Sequence, residues 1–334
     1  MVTATAITFI QRAVMQGIPL LYGSTGEIIT EKSGNLNLGI PGIMYVGGIS
    51  GVIGAFLYEN SLDSVSDANG FLAVIIPLLC SVFGSLLMGL IYCFLTVTLR
   101  ANQNVTGLAI TTFGTGFGNF FGGSLIKLTG ADVPSVALTT TSNFFRTTLP
   151  GAKTTGAFGQ IFLSYGFLAY AAIIIAILCA IFLSKTRGGL HLRAVGENPA
   201  TADAAGINVE RSKYLATCIG GGICGLGGLY IVMNSANGTG GVWVYNSISG
   251  YGWLAVAIVI FCTWSPAKAV LCSLIVGALT VMRYYYQFSF IPSAIYEIFP
   301  YIATVVVLVA IIFRKKKNNL PPSSLGLAYF REER

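Results

Sequence analysis

Charge is what this sequence has least of. Of 334 residues, 12 are Asp or Glu and 19 are Lys or Arg, leaving 9% of the chain charged, against roughly 25% in soluble domains. Histidine occurs once, and no Cys or His stands at a metal-ligand spacing, so no metal site is expected. No G-x-x-x-x-G-K-[ST] run is present, and the glycine clusters sit in apolar stretches. The chain therefore has no phosphate-cradling loop with which to hydrolyse ATP itself, and no cofactor is expected on it. Its start holds no basic patch leading into a short apolar core and a small-residue cleavage site, so no removed signal peptide is expected.

Apolar residues fill the space. They make up 54% of the chain, with a mean hydropathy of +0.76, which is the composition of an integral membrane protein. A crossing helix needs about 20 apolar residues. The runs here are long rather than the alternating ten-residue segments of a barrel, so the expected fold is all-α, a single polytopic domain over 1–334. Nine spans are predicted, near 5–25, 36–58, 71–98, 104–123, 160–184, 212–235, 249–263, 267–287 and 294–313. The seven cysteines, Cys80, Cys93, Cys179, Cys218, Cys224, Cys262 and Cys272, all fall inside apolar runs, as small packing residues do.

The net charge of +7 is distributed by side, unlike the single patch of a nucleic-acid binder. Fourteen Lys and Arg residues lie in or beside 26–35, 99–103, 185–211, 264–266 and the tail after Phe313. Lys127, Arg146, Lys153 and Arg283 belong to the other side. The basic side is predicted to be cytoplasmic, with the C-terminus inside and the N-terminus outside. The acidic loop 59–70 and the Thr-, Ser- and Gly-rich segment 124–159 are then external. Arg12 falls within the first span and either snorkels to the interface or meets a neighbouring helix. Arg283 and Glu297 flank the outer turn before the last span, where a pair is worth at most about 1 kcal/mol. The tail 314–334 opens with Arg314 and Lys315–Lys317, which suits anionic headgroups or a protein contact.

Small residues recur every fourth position: Gly114, Gly118 and Gly122; Gly220, Cys224 and Gly228; Gly221 and Gly225; Gly47, Gly51 and Ala55. This spacing lets membrane helices approach backbone to backbone. The fourth span also displays Thr106, Thr111, Thr112, Thr115 and Asn119, polar groups tolerated at depth only against protein or water.

The loop Thr186–Ala216, "TRGGLHLRAVGENPATADAAGINVERSKYLA", is about as long as a span and is patterned as structure. Pro199 can open a helix and Gly206 can close one, which predicts one or two short helices on the cytoplasmic face. The mixed charges Arg193, Glu197, Asp203, Glu210 and Arg211 favour docking into a protein groove over lying on lipid.

That segment, followed by "CIGGGICGLGGLY", resembles the coupling region of bacterial ABC-importer permeases of the branched-chain amino acid, ribose and nucleoside superfamily. "EKSGNLNLGIPGIMYVGG", "RANQNVTGLAITTF" and "FPYIATVVVLVAIIF" extend the resemblance through most of the chain and point to the nucleoside branch. Pro41 departs from it, standing where many relatives carry Glu, so no carboxylate role carries over. The resemblance implies a bacterial plasma-membrane protein that pairs with a second, related permease as a heterodimer. It also implies an ATPase with fused nucleotide-binding halves, holding ATP and magnesium, and an external lipoprotein that delivers nucleoside. Coupling would then fall to Leu190, Leu192, Ala194 and Val195 filling the ATPase groove, Arg193 and Glu197 at its rim, and Asn198 and Pro199 beside them. His191 is expected at this interface without a titrating role.

Ribose or branched-chain amino acids are alternative substrates. An ion-coupled transporter is a poorer reading, because it needs embedded carboxylates and the acids here mostly sit in loops or at helix ends. A polar route is expected from Asn35, Asn37, Asn102, Gln103, Asn104, Thr106, Thr111 and Asn119. The stretch Gly26–Gly42 admits two readings: a cytoplasmic turn with Glu27, Glu31 and Lys32 in water, or an unwound segment over Ser33–Gly39 at membrane depth.

Overall fold

The computed structural model describes residues 2–62, 68–129, 135–152, 154–234, 240–285, 293–314 and 320–330. Thirteen α-helices and one two-stranded antiparallel sheet account for most of them. In order these are α1 (Val2–Glu31), α2 (Ile40–Asn60), α3 (Gly70–Cys93), prolonged by a π-helical turn over Phe94–Thr98, and α4 (Gln103–Thr129). Next come β1 (Ser135–Ala137), α5 (Thr139–Phe145), α6 (Gly156–Phe162), α7 (Phe167–Lys185), α8 (Arg187–Glu197), α9 (Pro199–Ala204) and α10 (Val209–Met233). The chain continues through β2 (Val242–Val244), α11 (Tyr251–Phe261), α12 (Pro266–Tyr285) and α13 (Ser293–Arg314).

Four of the described helices, α2, α3 with its π turn, α7 and α10, are long and apolar enough to cross a membrane. Their burial sorts them into layers. The apolar windows of α2 and α10 are 83% and 78% buried, whereas those of α3 and α7 are 33% and 28% buried. The first pair is the centre of the bundle, and the second turns Phe71, Leu79 and Phe83, or Ile174, Leu178 and Ile181, outward to lipid. Around this centre α1 packs on α10 and α12, and α2 on α3 and α4.

Glycine makes the centre close. A Cβ on Gly228 would run into the Met44 carbonyl, and one on Gly47 into the Gly225 backbone, so α2 and α10 touch main chain to main chain. Such contact supplies dispersion where apolar burial gains nothing over lipid. The α4 stripe is a packing face too: Gly114 meets Gly42, Gly118 the Tyr45 ring and Gly122 the Trp243 indole.

Each of the nine predicted runs is helical, with three differences. α1 does not stop near residue 25 but continues to Glu31. The run 160–184 is divided, with α6 ending at Phe162 and the long helix beginning only at Phe167. The run 249–263 yields only the 11 residues of α11; at about 1.5 Å per residue this is half of a membrane crossing. Arg12 is exposed on the outside of the bundle. All seven cysteines are free thiols. Arg283 and Glu297 lie in α12 and α13, but their side chains are outside the described residues, as are Lys315–Lys317.

The bundle has two distinct ends. One carries α8 and α9, against which the α1–α2 turn rests. The other carries the small sheet, where Val136 pairs with Trp243 across an antiparallel register.

Candidate translocation and coupling sites

Two non-helical segments interrupt the bundle. The first, residues 32–39, joins α1 to α2 at the α8 end. It turns sharply at Gly34, whose φ of +88° suits glycine, yet it is not in water. Ser33, Asn35 and Asn37 are buried, and so are Glu27 and Glu31 at 0% and 3% exposure, which sets aside the one of the two readings that put these carboxylates in water. Backbone groups freed from helical bonding and buried need partners from the protein, and several find them here, while Glu27 Oε2, Asn35 Oδ1 and Asn37 Nδ2 are buried without a hydrogen-bond partner among the described residues. Tyr92 donates to the Leu36 carbonyl at 2.6 Å, and the Gln103 Oε1 accepts the Leu36 N–H at 2.7 Å. Thr111 donates to the Leu38 carbonyl at 2.8 Å, while Glu27 Oε1 accepts the Asn37 N–H at 3.2 Å. Asn35 Nδ2 donates to Thr217 Oγ1 at 3.1 Å, Asn37 Oδ1 accepts the Gly39 N–H at 2.9 Å, and the Trp264 indole donates to Glu31. Lys32, partly buried in the turn, has its pKa lowered by desolvation, an effect the Glu197 carboxylate opposes.

The second break, "YNSISG" over 245–250, brings the chain from β2 into the bundle before α11 begins. Asn246 and Gly250 take φ of +59° and +91°. The Asn246 N–H donates to Tyr45 Oη at 3.0 Å, and Asn119 Nδ2 donates to Asn246 Oδ1 at 3.0 Å. Tyr45 in turn donates to Asn119 Oδ1 at 2.6 Å, and Tyr251 donates to Gln16 Oε1 at 2.6 Å. Beside this network lies a cavity of about 380 Å³ lined by Asn246, Ser247, Ser249, Gly250, Tyr251, Leu254, Thr280, Tyr296, Pro300 and Tyr301. Amide and hydroxyl groups with tyrosine rings, and no charged lining residue among the described residues, suit an uncharged polar solute with a flat apolar face.

The polar residues expected on a single route divide accordingly. Gln103 and Thr111 hold the first break, and Asn119 holds the second. Asn35, Asn37 and Thr106 are buried, while Asn102 and Asn104 are exposed at the start of α4. Sequence reading missed Tyr45, Tyr92, Asn246 and the cavity tyrosines. The signal available was the Asn, Ser and Gly cluster immediately before the apolar run at 251, which is turn chemistry rather than span chemistry.

At the α8 end the long loop folds as two capped helices. Thr186 Oγ1 accepts the Gly189 N–H at 3.0 Å to start α8, and Asn198 Oδ1 accepts the Thr201 N–H at 3.0 Å to start α9, with Pro199 at its first position. Gly206, at φ +84°, follows α9, and Asn208 caps α10. Leu192 and Val195 are 6% and 0% exposed. Val195 packs on Ala202 and Val209 within this chain, so these two cannot fill a partner's groove as expected. Leu190, 56% exposed, and Arg193 remain on the outer face, with Ala194 half-buried beside them.

The chain thus forms a glycine-packed helical bundle interrupted by two non-helical segments, with a paired-helix shelf at one end. The chain belongs to the family of permease components of branched-chain amino acid transport systems, whose model matches residues 9–313. It is similar to the guanosine ABC transporter permease NupQ of Bacillus subtilis, at 29% identity over 91% of this chain and 92% of that one. It is also similar to the nucleoside ABC transporter permease NupC of Lactococcus lactis, at 28% over 99% of each. TsgC13 of Haloferax volcanii, whose name assigns it to glucose ABC transport, is 27% identical over 98% of each chain. The chain is accordingly a multi-pass permease subunit of an ABC-type importer.

Proposed function

We propose that this subunit conducts nucleosides, and that the cavity beside the 245–250 break is a station on their route. One observation carries the reading: a half-length helix, α11, entered through an unwound Asn-Ser-Gly segment that lines a polar and aromatic cavity whose described lining is uncharged. Tyr251, Tyr296 and Tyr301 offer faces to a base, while Asn246, Ser249 and Thr280 offer partners to ribose hydroxyls. The nucleoside and guanosine permeases among the relatives support that choice. The glucose relative favours a second reading, a sugar substrate. A sugar would use the same hydroxyl partners and leave the tyrosine faces without a base.

In this proposal the basic side is cytoplasmic, the C-terminus with it. A separate ATPase with fused halves, holding ATP and magnesium, presses on the outer face of α8 and α9 through Leu190, Arg193, Ala194, Glu197, Asn198 and Pro199. A related second permease completes the path, and an external lipoprotein delivers the substrate. The test is uptake of labelled nucleosides into vesicles holding the assembled transporter, with ATP withheld or ion gradients collapsed. ATP-dependent uptake, competed by unlabelled nucleosides and not by ribose, glucose or leucine, is the expected result. Uptake that follows an ion gradient without ATP overturns it.

A further inference from the structure

The tail shows no helical period in sequence, and 320–330 is not helical in the structure either, yet it lies across the α8 end in defined contact. The Ser324 N–H and Oγ both donate to the Gly196 carbonyl, at 3.0 and 2.5 Å, where α8 ends. Ser323 Oγ donates to Glu197 Oε2 at 2.8 Å, and Tyr329 donates to Asp203 Oδ2 in α9 at 2.8 Å. On its other side the Gly326 N–H donates to the Gly34 carbonyl at 3.1 Å, and Gln103 Nε2 donates to the Leu327 carbonyl at 3.4 Å. The Arg100 guanidinium lies 4.8 Å from the centroid of the Phe330 ring.

Three glycines let these backbones converge. Gly34 and Gly326 have φ of +88° and +82°, and a Cβ on Gly196 would strike the Lys32 carbonyl. Ordering an aperiodic segment costs about 1–2 kcal/mol per residue in backbone entropy. Here that ordering joins α8 and α9 to the α1–α2 turn, which otherwise meets α8 at the Gly196 contact, and to the start of α4, which Gln103 already bonds to that turn.

We propose that residues 320–330 are a strap that makes the α8–α9 shelf and the buried 32–39 segment move as one body, so that a push on the shelf reaches the bundle. Its mechanical role rests on the coupling function proposed above; the physical linkage does not. The strap positions the coupling helices and touches no substrate.

The experiment uses the purified full transporter with its ATPase, and compares wild type with a chain ended after Asn319 and with a Ser324→Ala, Tyr329→Phe double variant. Amide exchange at Gly34–Leu36 and over α8–α9 is expected to quicken by about tenfold in the truncated chain and by less in the double variant. Solute moved per ATP hydrolysed is expected to fall at least about fivefold while hydrolysis continues. The double variant keeps the test valid if truncation prevents folding. Unchanged exchange in the double variant, or an unchanged transport-to-hydrolysis ratio, overturns the strap. If the wild type acquires no ATPase partner, the coupling reading fails instead, and exchange still decides whether the strap holds.

Discussion

The two breaks in the bundle are written in the same residues, Gly, Asn and Ser, and end in opposite environments. Residues 32–39 are largely buried, with the Leu36 and Leu38 carbonyls and the Leu36 and Asn37 amides held by Tyr92, Thr111, Gln103 and Glu27. Asn35 Oδ1 and Asn37 Nδ2 are buried there without a partner among the described residues. Residues 245–250 open on a cavity, and Asn246 and Ser249 stand exposed beside it. Unwound backbone at depth is tolerated when protein or water satisfies it, and which of the two does so separates a joint from a solute surface. The first break is thus a joint between the shelf and the centre, and the second is the surface we assign to substrate.

The comparison is broken most forcefully by adding side chains just past the first break, in the opening turn of α2, and within the second. In Gly42→Val the new atoms collide with the Ile110 carbonyl and the Thr111 backbone. α2 and α4 must separate, and a loss above about 3 kcal/mol, read as failure to recover folded protein in detergent, is expected. Gly250→Ala meets no atom and carries only the strain of φ +91°. About 1 kcal/mol is expected there, seen as a small drop in the unfolding midpoint. Equal tolerance at both sites would mean that the first break is not closely packed.

Next in size is Tyr92→Phe, which strips the donor from the buried Leu36 carbonyl. Leaving that group unpaired costs about 1–3 kcal/mol, so thermal stability and uptake should fall together. At the second break they should part. Asn246→Ala and Asn119→Ala remove groups from an exposed network, and uptake at equal folded protein is expected to fall about tenfold, equivalent to some 1.4 kcal/mol, with the unfolding midpoint nearly unchanged.

This division was only partly legible in the sequence. Long apolar runs located every major helix, because a membrane span must be both apolar and long. Pro199 and Gly206 located the ends of α9, because their backbone preferences are local. The burial of Glu27 and Glu31 was not legible, since a carboxylate near a helix end reads as solvated until its cover is known, and that cover comes from Trp264 and the 32–39 turn itself. Nor was the halving of the run 249–263, where apolar side chains hide a backbone that begins its helix only at Tyr251. Leu192 and Val195 were expected to face a partner, but α9 and α10 fold back and cover Val195, a tertiary fact with no local signature. The strap was invisible for the same reason, its partners lying more than 120 residues away along the chain.

The smallest expected effect falls at the start of α4, where Asn102 and Asn104 were placed on the polar route. Asn102 Oδ1 accepts the Val105 N–H at 3.1 Å, a helix cap at an exposed position. Asn102→Ala should cost about 1 kcal/mol of stability and leave uptake per folded transporter unchanged; Asn104→Ala, exposed and one turn from any break, should alter neither. Both are measured by unfolding in detergent alongside labelled uptake in vesicles. Slower uptake in either variant at equal folded protein would extend the solute's route to the shelf end of α4. The buried joint would then be part of the path it was distinguished from, and the contrast between the two breaks would have to be redrawn around which one opens first.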